Sequence, residues 1–425
     1  MKIDLEKIIL FILVGSLVIM NLYFVTPISD NYWQYLAARQ ILRNPSFLWQ
    51  TNITTGIPYL LVSGPIYQYP PLLQLSYAFS LLVGLGPQLI DILSIIIICY
   101  LLYRMDKKAI PIILLSFLFI RLSVQGGIDI FMLMLALTSF YFFDKKPLIS
   151  GIFAGLMPLV KGTGFLYLGS WLVAVLIFKR KEIFNKGFFK NKYFLAIILS
   201  LVILSPWYLR NFILFKGDLM STLFGFTPGR MITDLKGLDV GFQSTQPERY
   251  WFDTTGYYPV PIDFLFYLGI IFTVFNLYRN KKVERDHVFI AVFVIAYFLF
   301  QAISFKMVAI IRYYLPIFPL LAMQIPKRIP EKYLKFVYAF CLLFLVLWAL
   351  NLPKYSWNQM DSQLAPACKQ IKSTIDFQPV YVKAFQDLYV MYRCDLNATT
   401  QNSSKWTLDF DQGQLYLTNK TNITR

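Results

Sequence analysis

Apolar residues in this chain are grouped in blocks too long and too uniform to be one face of a soluble helix. They cover 8–27, 88–103, 109–125, 130–143, 147–160, 163–178, 193–209, 262–278, 288–304, 309–325 and 335–352. A helix needs about 20 mostly apolar residues to cross a bilayer, so the pattern predicts an α-helical polytopic membrane protein with about eleven transmembrane helices. The blocks between 130 and 160 are short, and that segment reads either as a tight helical hairpin or as a break in the span count. Three longer segments remain, at 28–87, 210–261 and 353–425. In the first, Trp33, Leu36, Ala37 and Ile41 recur at helical spacing within Tyr32 to Leu42, which predicts a helix lying along the membrane surface. Leu72 to Leu85, after Pro70-Pro71, is apolar but short and reads as a second helix that hugs or half-enters the membrane. The tail has a helix-like stretch at 361–375 and strand-like stretches at 378–383 and 414–419, a small α/β unit of marginal size. The expected division is a transmembrane module, 1–352, and a small extracytoplasmic domain, 353–425.

Charge then orients the module. The formal net charge is +17, but the basic residues fall in short bursts between apolar blocks and not on one soluble face, so the excess is read as positive-inside topology and not as a nucleic-acid surface. With the N-terminus in the cytoplasm and residues 8–26 as a signal anchor, the bursts at 104–108, 144–146, 179–192, 279–285 and 327–335 all fall on the cytoplasmic side. N-glycosylation sequons at Asn52, Asn397, Asn402, Asn419 and Asn422 all fall on the other side. Composition agrees: 57% of residues are hydrophobic and 15% charged, where an ordinary soluble domain has roughly 45–50% and 25%.

The same inventory excludes several chemistries. His287 is the only histidine and sits in a basic loop, so neither a histidine-rich metal site nor a Ser-His-Asp triad can be assembled. Cys99 and Cys341 lie inside apolar blocks and read as small packing residues. Cys368 and Cys394 lie in the polar tail, where a disulfide between them would brace a small domain in an oxidising exterior.

Charged groups cost up to about 2.5–3.5 kcal/mol each at the centre of a membrane helix on insertion scales, so those at the outer ends of the blocks still need a reason. They are Asp30, Arg121, Asp129, Lys161, Arg210, Lys306 and Arg312. Lysine and arginine can snorkel to the interface as anchors, whereas the two carboxylates cannot do so as readily. Two carboxylates facing an outer cavity could supply a general base and its partner, and cations beside them could hold an anionic leaving group. That equipment suits the movement of a sugar from a lipid phosphate to a hydroxyl. A transporter or flippase for a lipid-linked sugar would also need charged groups, but here they gather at one face, with no repeat-related broken helices near mid-bilayer. A non-catalytic scaffold whose tail binds a partner is the other alternative.

Motifs in chain order bring in a family. Asp30-Asn31-Tyr32-Trp33-Gln34-Tyr35-Leu36-Ala37, directly after the first block, resembles the acidic opening of the first outer loop in GT-C glycosyltransferases of the protein-mannosyltransferase and lipid A aminoarabinose-transferase kind. Tyr69-Pro70-Pro71-Leu72 looks like their His/Tyr-Pro-Pro-Leu segment, and Arg121 with Asp129 like their outer Arg and Asp before a span. Gly151 to Gly164, with Lys161-Gly162 near its end, resembles a glycine-punctuated helix closing in Thr-Lys-Gly. Pro206-Trp207-Tyr208-Leu209-Arg210-Asn211 is similar to Pro-Trp-x-x-Arg-Asn, and Arg312-Tyr313-Tyr314-Leu315-Pro316 to a late Arg-Tyr-x-x-Pro.

The resemblance implies a GT-C fold and an integral membrane glycosyltransferase that takes a sugar from a polyprenyl or dolichyl phosphate donor on the outer face. It implies Asp30 as general base with Asp129 also catalytic, Arg210, Lys161, Arg312 and Arg121 near the donor phosphate, and Tyr32, Tyr35, Tyr69 and Trp207 around the sugar or acceptor. Asn31 stands where many relatives carry a second acid, so no metal or other cofactor is expected. The acceptor, whether glycan, protein or lipid, is not legible, and no nucleic-acid partner is expected. Tyr250-Trp251-Phe252-Asp253 has a faint likeness to an oligosaccharyltransferase motif, but it lies in the middle loop and not in a C-terminal domain. Isoleucine- and lysine-rich usage and the tail sequons fit an archaeal surface membrane.

Overall fold

The structure is a computed structural model, and it describes residues 5–24, 29–43, 45, 70–185, 191–214, 216–217, 263–280, 283–303 and 311–351. In the tail it describes residues 368–369, 371, 374, 380–382, 398–399, 406–411 and 414–419. At 29–33 and 311–312 only the backbone is described.

The described core is helical. In chain order the helices are α1 (Leu5–Phe24), α2 (Ser29–Arg43), α3 (Leu72–Leu82), α4 (Gln88–Asp106), α5 (Ala109–Ile112), α6 (Phe117–Gln125) and α7 (Ile128–Phe142). There follow α8 (Pro147–Leu156), α9 (Gly164–Asn185), α10 (Lys192–Leu214), α11 (Phe264–Asn280), α12 (Arg285–Ile303), α13 (Phe318–Gln324) and α14 (Glu331–Asn351). Short 3₁₀ turns at Ile113–Leu115, Met157–Leu159 and Ile311–Ile317 join neighbouring pieces. Each apolar block has a helical counterpart. The α2 helix falls where the Tyr32-to-Leu42 periodicity predicts it, and the eleven residues of α3 reach about 16 Å, half a hydrocarbon core.

Fewer of the described helices than the eleven apolar blocks reach spanning length as single helices. Two described helices, Gln88–Asp106 and Lys192–Ile213, are long and apolar enough to cross a bilayer, and three spans result if one bent pair counts as a single span. That pair is α6 and α7, which meet at 110°. The block at 109–125 is also interrupted: backbone turns at Ser116, whose extended conformation and hydroxyl cap the first turn of α6 by accepting the Phe119 N–H at 2.9 Å. Hydropathy does not show the break at Ser116, because the residues around it are as apolar as those within the helices, whereas the corner at 126–127 falls in the gap between the blocks at 109–125 and 130–143.

Two buried carboxyls hold the breaks open. Asp263, just before α11, accepts the Ser116 hydroxyl at 2.8 Å and the Phe266 N–H at 3.0 Å, which ties the start of α11 to the first break. Asp91, in the first turn of α4, accepts the Gly127 N–H at 2.8 Å at the α6–α7 corner. Gly126 and Gly127 turn that corner with φ of 69° and 90°, values that L side chains rarely adopt.

Elsewhere close contact comes from missing side chains. Gly151 and Gly155, one turn apart on α8, lie against the backbone carbonyls of Ala196 and Ser200 on α10, and a Cβ on Gly155 would come 2.6 Å from the Ser200 oxygen. The α7–α8 hairpin predicted from the short blocks is present and is knitted by Ser139 and Ser150, each hydroxyl donating to the other's carbonyl, at 3.0 and 2.7 Å. Trp171 of α9 adds an indole N–H to the Ser150 hydroxyl at 2.8 Å.

The outer surfaces of the helices are apolar. Phe11 is 80% exposed, Phe336 74% and Val274 62%, and similar residues line α10, α11 and α14. Faces of this extent in water are association sites; in hydrocarbon they are the solvent-facing surface, with backbone polar groups satisfied inside each helix.

The two ends of the bundle differ. At one end lie the basic bursts, ion-paired with the few acids nearby: Lys179 and Arg285 with Asp144, and Lys327 with Glu284 and Asp286. Arg328 reaches Asn276 and Asn280 of α11. At the other end lie the α6–α7 corner, Lys161 and the close of α10. Five groups of residues that the charge pattern assigns to one side therefore share one end of the fold, while which side of a membrane that is rests on the charge rule.

The tail contains a four-stranded sheet. Its strands are β1 (Val380–Val382), β2 (Ala398–Thr399), β3 (Trp406–Asp411) and β4 (Gln414–Asn419), in the order β2-β1-β3-β4. The β1 strand is parallel to both neighbours, and β3 pairs antiparallel with β4 from Trp406–Asn419 to Asp411–Gln414 across the dipeptide Gln412-Gly413. The sequence reading finds β1 and β4 but not β2 or β3. Most of the helix-like stretch at 361–375 lies outside the described residues.

Two outcomes test this description. A Gly126→Ala substitution forces a left-handed backbone on alanine and drives its methyl into the Asp91 carboxyl; overpacking plus strain should cost about 2–4 kcal/mol, read as a lower unfolding midpoint of the purified protein. At the opposite end, burial raises the pKa of Asp286, but the charge and hydrogen bond of Lys327, with help from Gln324, more than reverse this and hold it below the usual carboxylate range. A carboxylate depressed in the folded state contributes stability at neutral pH and loses it as pH falls through the folded value. Asp286→Asn should therefore lower the midpoint at pH 7, and the difference from wild type should shrink below about pH 4.

Candidate functional site

The site is built where four chain breaks meet. The corner at 126–127 starts α7 at Ile128, which puts Asp129 in the first turn of that helix, 1% exposed. The 3₁₀ turn at Met157–Leu159 ends α8, and Lys161 follows it in the link to α9. Lys161 Nζ lies 2.9 Å from Asp129 Oδ1, with side-chain exposures of 10% and 1%. The ammonium also sits over the Tyr313 ring, 4.3 Å from its centre, in the 3₁₀ turn Ile311–Ile317. Three motifs distant in sequence thus touch one another through Asp129, Lys161 and Tyr313.

The close of α10 joins them from the side. Tyr208 donates to the Pro158 carbonyl at 2.8 Å and packs edge-on against Phe165, which brackets the Lys161 link from both flanks. Arg210, two residues on, stacks on Trp207 with its guanidinium carbon 4.7 Å from the ring centre and donates to Asn211 at 2.9 Å. The Pro-Trp-Tyr-Leu-Arg-Asn motif is therefore a folded unit in which Trp207 is 6% exposed and supports the arginine. Arg121 lies on α6 and donates through Nε to Gln125 at 3.0 Å, at the end of the helix that leads into the corner.

The first outer segment docks through Asp91. Tyr35 of α2 and Tyr77 of α3 donate to its two oxygens at 3.3 and 2.8 Å, and their rings meet edge to face at 4.9 Å. Because Asp91 also holds Gly127, one carboxyl connects α2, α3 and α4 to the corner that presents Asp129. Tyr35, named from sequence as a sugar or acceptor contact, is fully buried and spends its hydroxyl on Asp91. Asp30 and Tyr32 lie in the first turn of α2, five and three residues before Tyr35, with their side chains outside the described residues. The side chain of Arg312 is outside them too, as are Lys306, Tyr69, Asn52, Asn397, Asn402, Asn422 and Cys394. Asn419 is the last residue of β4 and pairs with Trp406. Cys368 is disulfide-bonded, while Cys99 and Cys341 are free thiols inside the bundle.

Sequence reasoning missed Asp91, Asp263 and Tyr313, although a signal existed for the acids. Both border apolar blocks, where a carboxylate is as costly as Asp129, but each was absorbed into the edge of its block. Tyr313 belonged to a motif read only for its arginine.

The opposite end holds a group of possible metal donors. Ligand atoms of Glu284, Asp286 and His287 lie within 4.8 Å of one another. Lys327 Nζ already bridges the two carboxylates at 2.9 Å each, and His287 Nδ1 accepts the Glu284 N–H at 3.2 Å. That leaves His287 Nε2 facing Gln324 Oε1 at 3.3 Å, so the donors are spent on an ion-paired network.

No protein-family model matches the sequence, and no curated protein matches it. Among solved structures, the chain is similar to ArnT from Cupriavidus metallidurans in the apo state, with a TM-score of 0.49 and 15% identity over 87% of this chain. It is also similar to ArnT from the same organism bound to undecaprenyl phosphate, with a TM-score of 0.42 and 14% identity over 92% of this chain and 74% of that one. The chain spans 65% of the length of the apo structure.

Proposed function

We propose that this chain is a membrane-embedded glycosyltransferase of the GT-C type, which moves a sugar from a polyprenyl phosphate to an acceptor hydroxyl at the bundle end where Asp129 and Lys161 meet. In the step we propose, the acceptor oxygen attacks the anomeric carbon and its proton passes to Asp30. The bond from that carbon to the phosphate oxygen breaks, and the polyprenyl phosphate leaves carrying the negative charge. Lys161, with Arg210, Arg312 and Arg121, is assigned to hold that phosphate, and Asp129 to orient Lys161. Trp207 supports Arg210. In this reading the site and the tail face the exterior and the N-terminus the cytoplasm, and the acceptor is a glycan, a protein or a lipid.

One observation carries the reading: a buried lysine–carboxylate pair, lidded by an aromatic ring, at the edge of an otherwise apolar bundle. Ion pairs in such surroundings are costly to assemble and rarely retained for stability alone.

Two experiments test it. Asp30→Asn should lower transfer from a polyprenyl-phosphate sugar by about 10²–10⁴-fold and leave donor binding intact; full activity would remove the base from the mechanism. Lys161→Met should leave Asp129 buried without its cation, at a cost of about 3–5 kcal/mol. Adding Asp129→Asn should restore the unfolding midpoint but not transfer. Recovery of both would make the pair structural.

A further inference from the structure

We infer that Gln34 holds hydroxyls of the sugar being transferred; the inference rests on the transferase reading and deepens it. Gln34 lies on α2, four residues after Asp30 and therefore one helical turn along the same face. It is fully buried, and both its Nε2 and its Oε1 lack a hydrogen-bond partner. Other buried amides bond at one end or both: Gln324 bonds Asp286 and the Leu320 carbonyl, Asn276 bonds Gln324, and Asn21 donates to the Ser123 and Val124 carbonyls. Among the described residues, Gln34 is the only side-chain amide with both ends buried and open.

Its place is fixed from next door. Tyr35 bonds Asp91, and Asp91 bonds Gly127, so Gln34 is held at the bundle end that carries Asp129. Two more buried atoms at that end, Asn21 Oδ1 on α1 and Ser123 Oγ on α6, are also without partners. Asn21 Nδ2 meanwhile donates to the Ser123 and Val124 carbonyls at 3.3 and 3.0 Å, so the two open atoms are neighbours.

The chemistry of the open groups selects the ligand. A side-chain amide offers donors and an acceptor together. A phosphate would use only the donors and a prenyl chain neither. Sugar hydroxyls both donate and accept, and neighbouring hydroxyls on a ring match both ends of one amide. An unsatisfied buried amide in a folded protein calls for such an explanation, and a site built to bond a hydroxyl discriminates strongly once the bond is lost.

The test uses the full-length purified chain with two probes, a polyprenyl-phosphate hexose (mannose or glucose) and bare polyprenyl phosphate. Gln34→Leu should weaken binding of the hexose donor by about tenfold or more, and leave bare polyprenyl phosphate unchanged. The unfolding midpoint without ligand should stay or rise, because a desolvated amide has been removed. A structural role would instead lower the midpoint, and Gln34→Met would serve as the second variant of similar size. A fallen midpoint with both variants, equal weakening of both probes, or unchanged donor affinity, as expected if only water fills the space, overturns the assignment of Gln34 alone. Absence of transfer from either hexose donor by the wild type overturns the transferase reading together with it.

Discussion

A carboxyl buried in an apolar bundle must find its hydrogen bonds inside the protein, and Asp91 finds them on three different elements. Tyr35, Tyr77 and the Gly127 N–H converge on its two oxygens because no water reaches that depth to replace them. The same requirement fixes the first outer segment against the bundle and holds the α6–α7 corner at its sharp angle. Without that corner, α7 would continue the line of α6, and Asp129 would not stand at a helix start beside Lys161. Asp263 meets the same demand at the Ser116 break. Asp263 thus bends a stretch that hydropathy reads as uninterrupted, and Asp91 fixes the angle between two neighbouring blocks.

The medium explains the division of labour between the two ends. Large apolar side chains face outward along α10, α11 and α14, so helix association there gains little from hydrophobic burial. Close packing and internal polar contacts take its place, as in the approach of Gly151 and Gly155 to the α10 backbone and the Ser139–Ser150 pair. At the basic end, acids and lysines neutralise each other in an extended network. Among the described residues at the other end, Asp129 pairs with Lys161, and Arg210 packs on Trp207 and bonds Asn211.

The motif segments turn out to be structural units as well as carriers of candidate residues. Tyr208 ties the close of α10 to Pro158, and Pro158 lies in the 3₁₀ turn that delivers Lys161. Tyr35, read from the sequence as a substrate contact, donates its hydroxyl to Asp91, and its neighbour Gln34 has both ends of its amide open. A one-residue offset on a helix moves a side chain by about 100°, which motif position alone cannot resolve.

Apolar blocks of near-membrane length, with basic bursts on alternate links, determined the helical architecture from the chain alone, because hydrocarbon allows a backbone to be satisfied in few ways. The residues Asp129, Lys161 and Arg210 were legible for the same reason: charge beside lipid is expensive enough to stand out in any reading of composition. What local pattern could not supply were the break at Ser116, the sharp angle at Gly126-Gly127, the buried acids that hold them, and which of two adjacent residues on α2, Gln34 or Tyr35, meets Asp91. Those depend on which donors lie opposite each carboxyl, and residues as far apart as Asp91 and Gly127, or Ser116 and Asp263, become neighbours only when the helices pack.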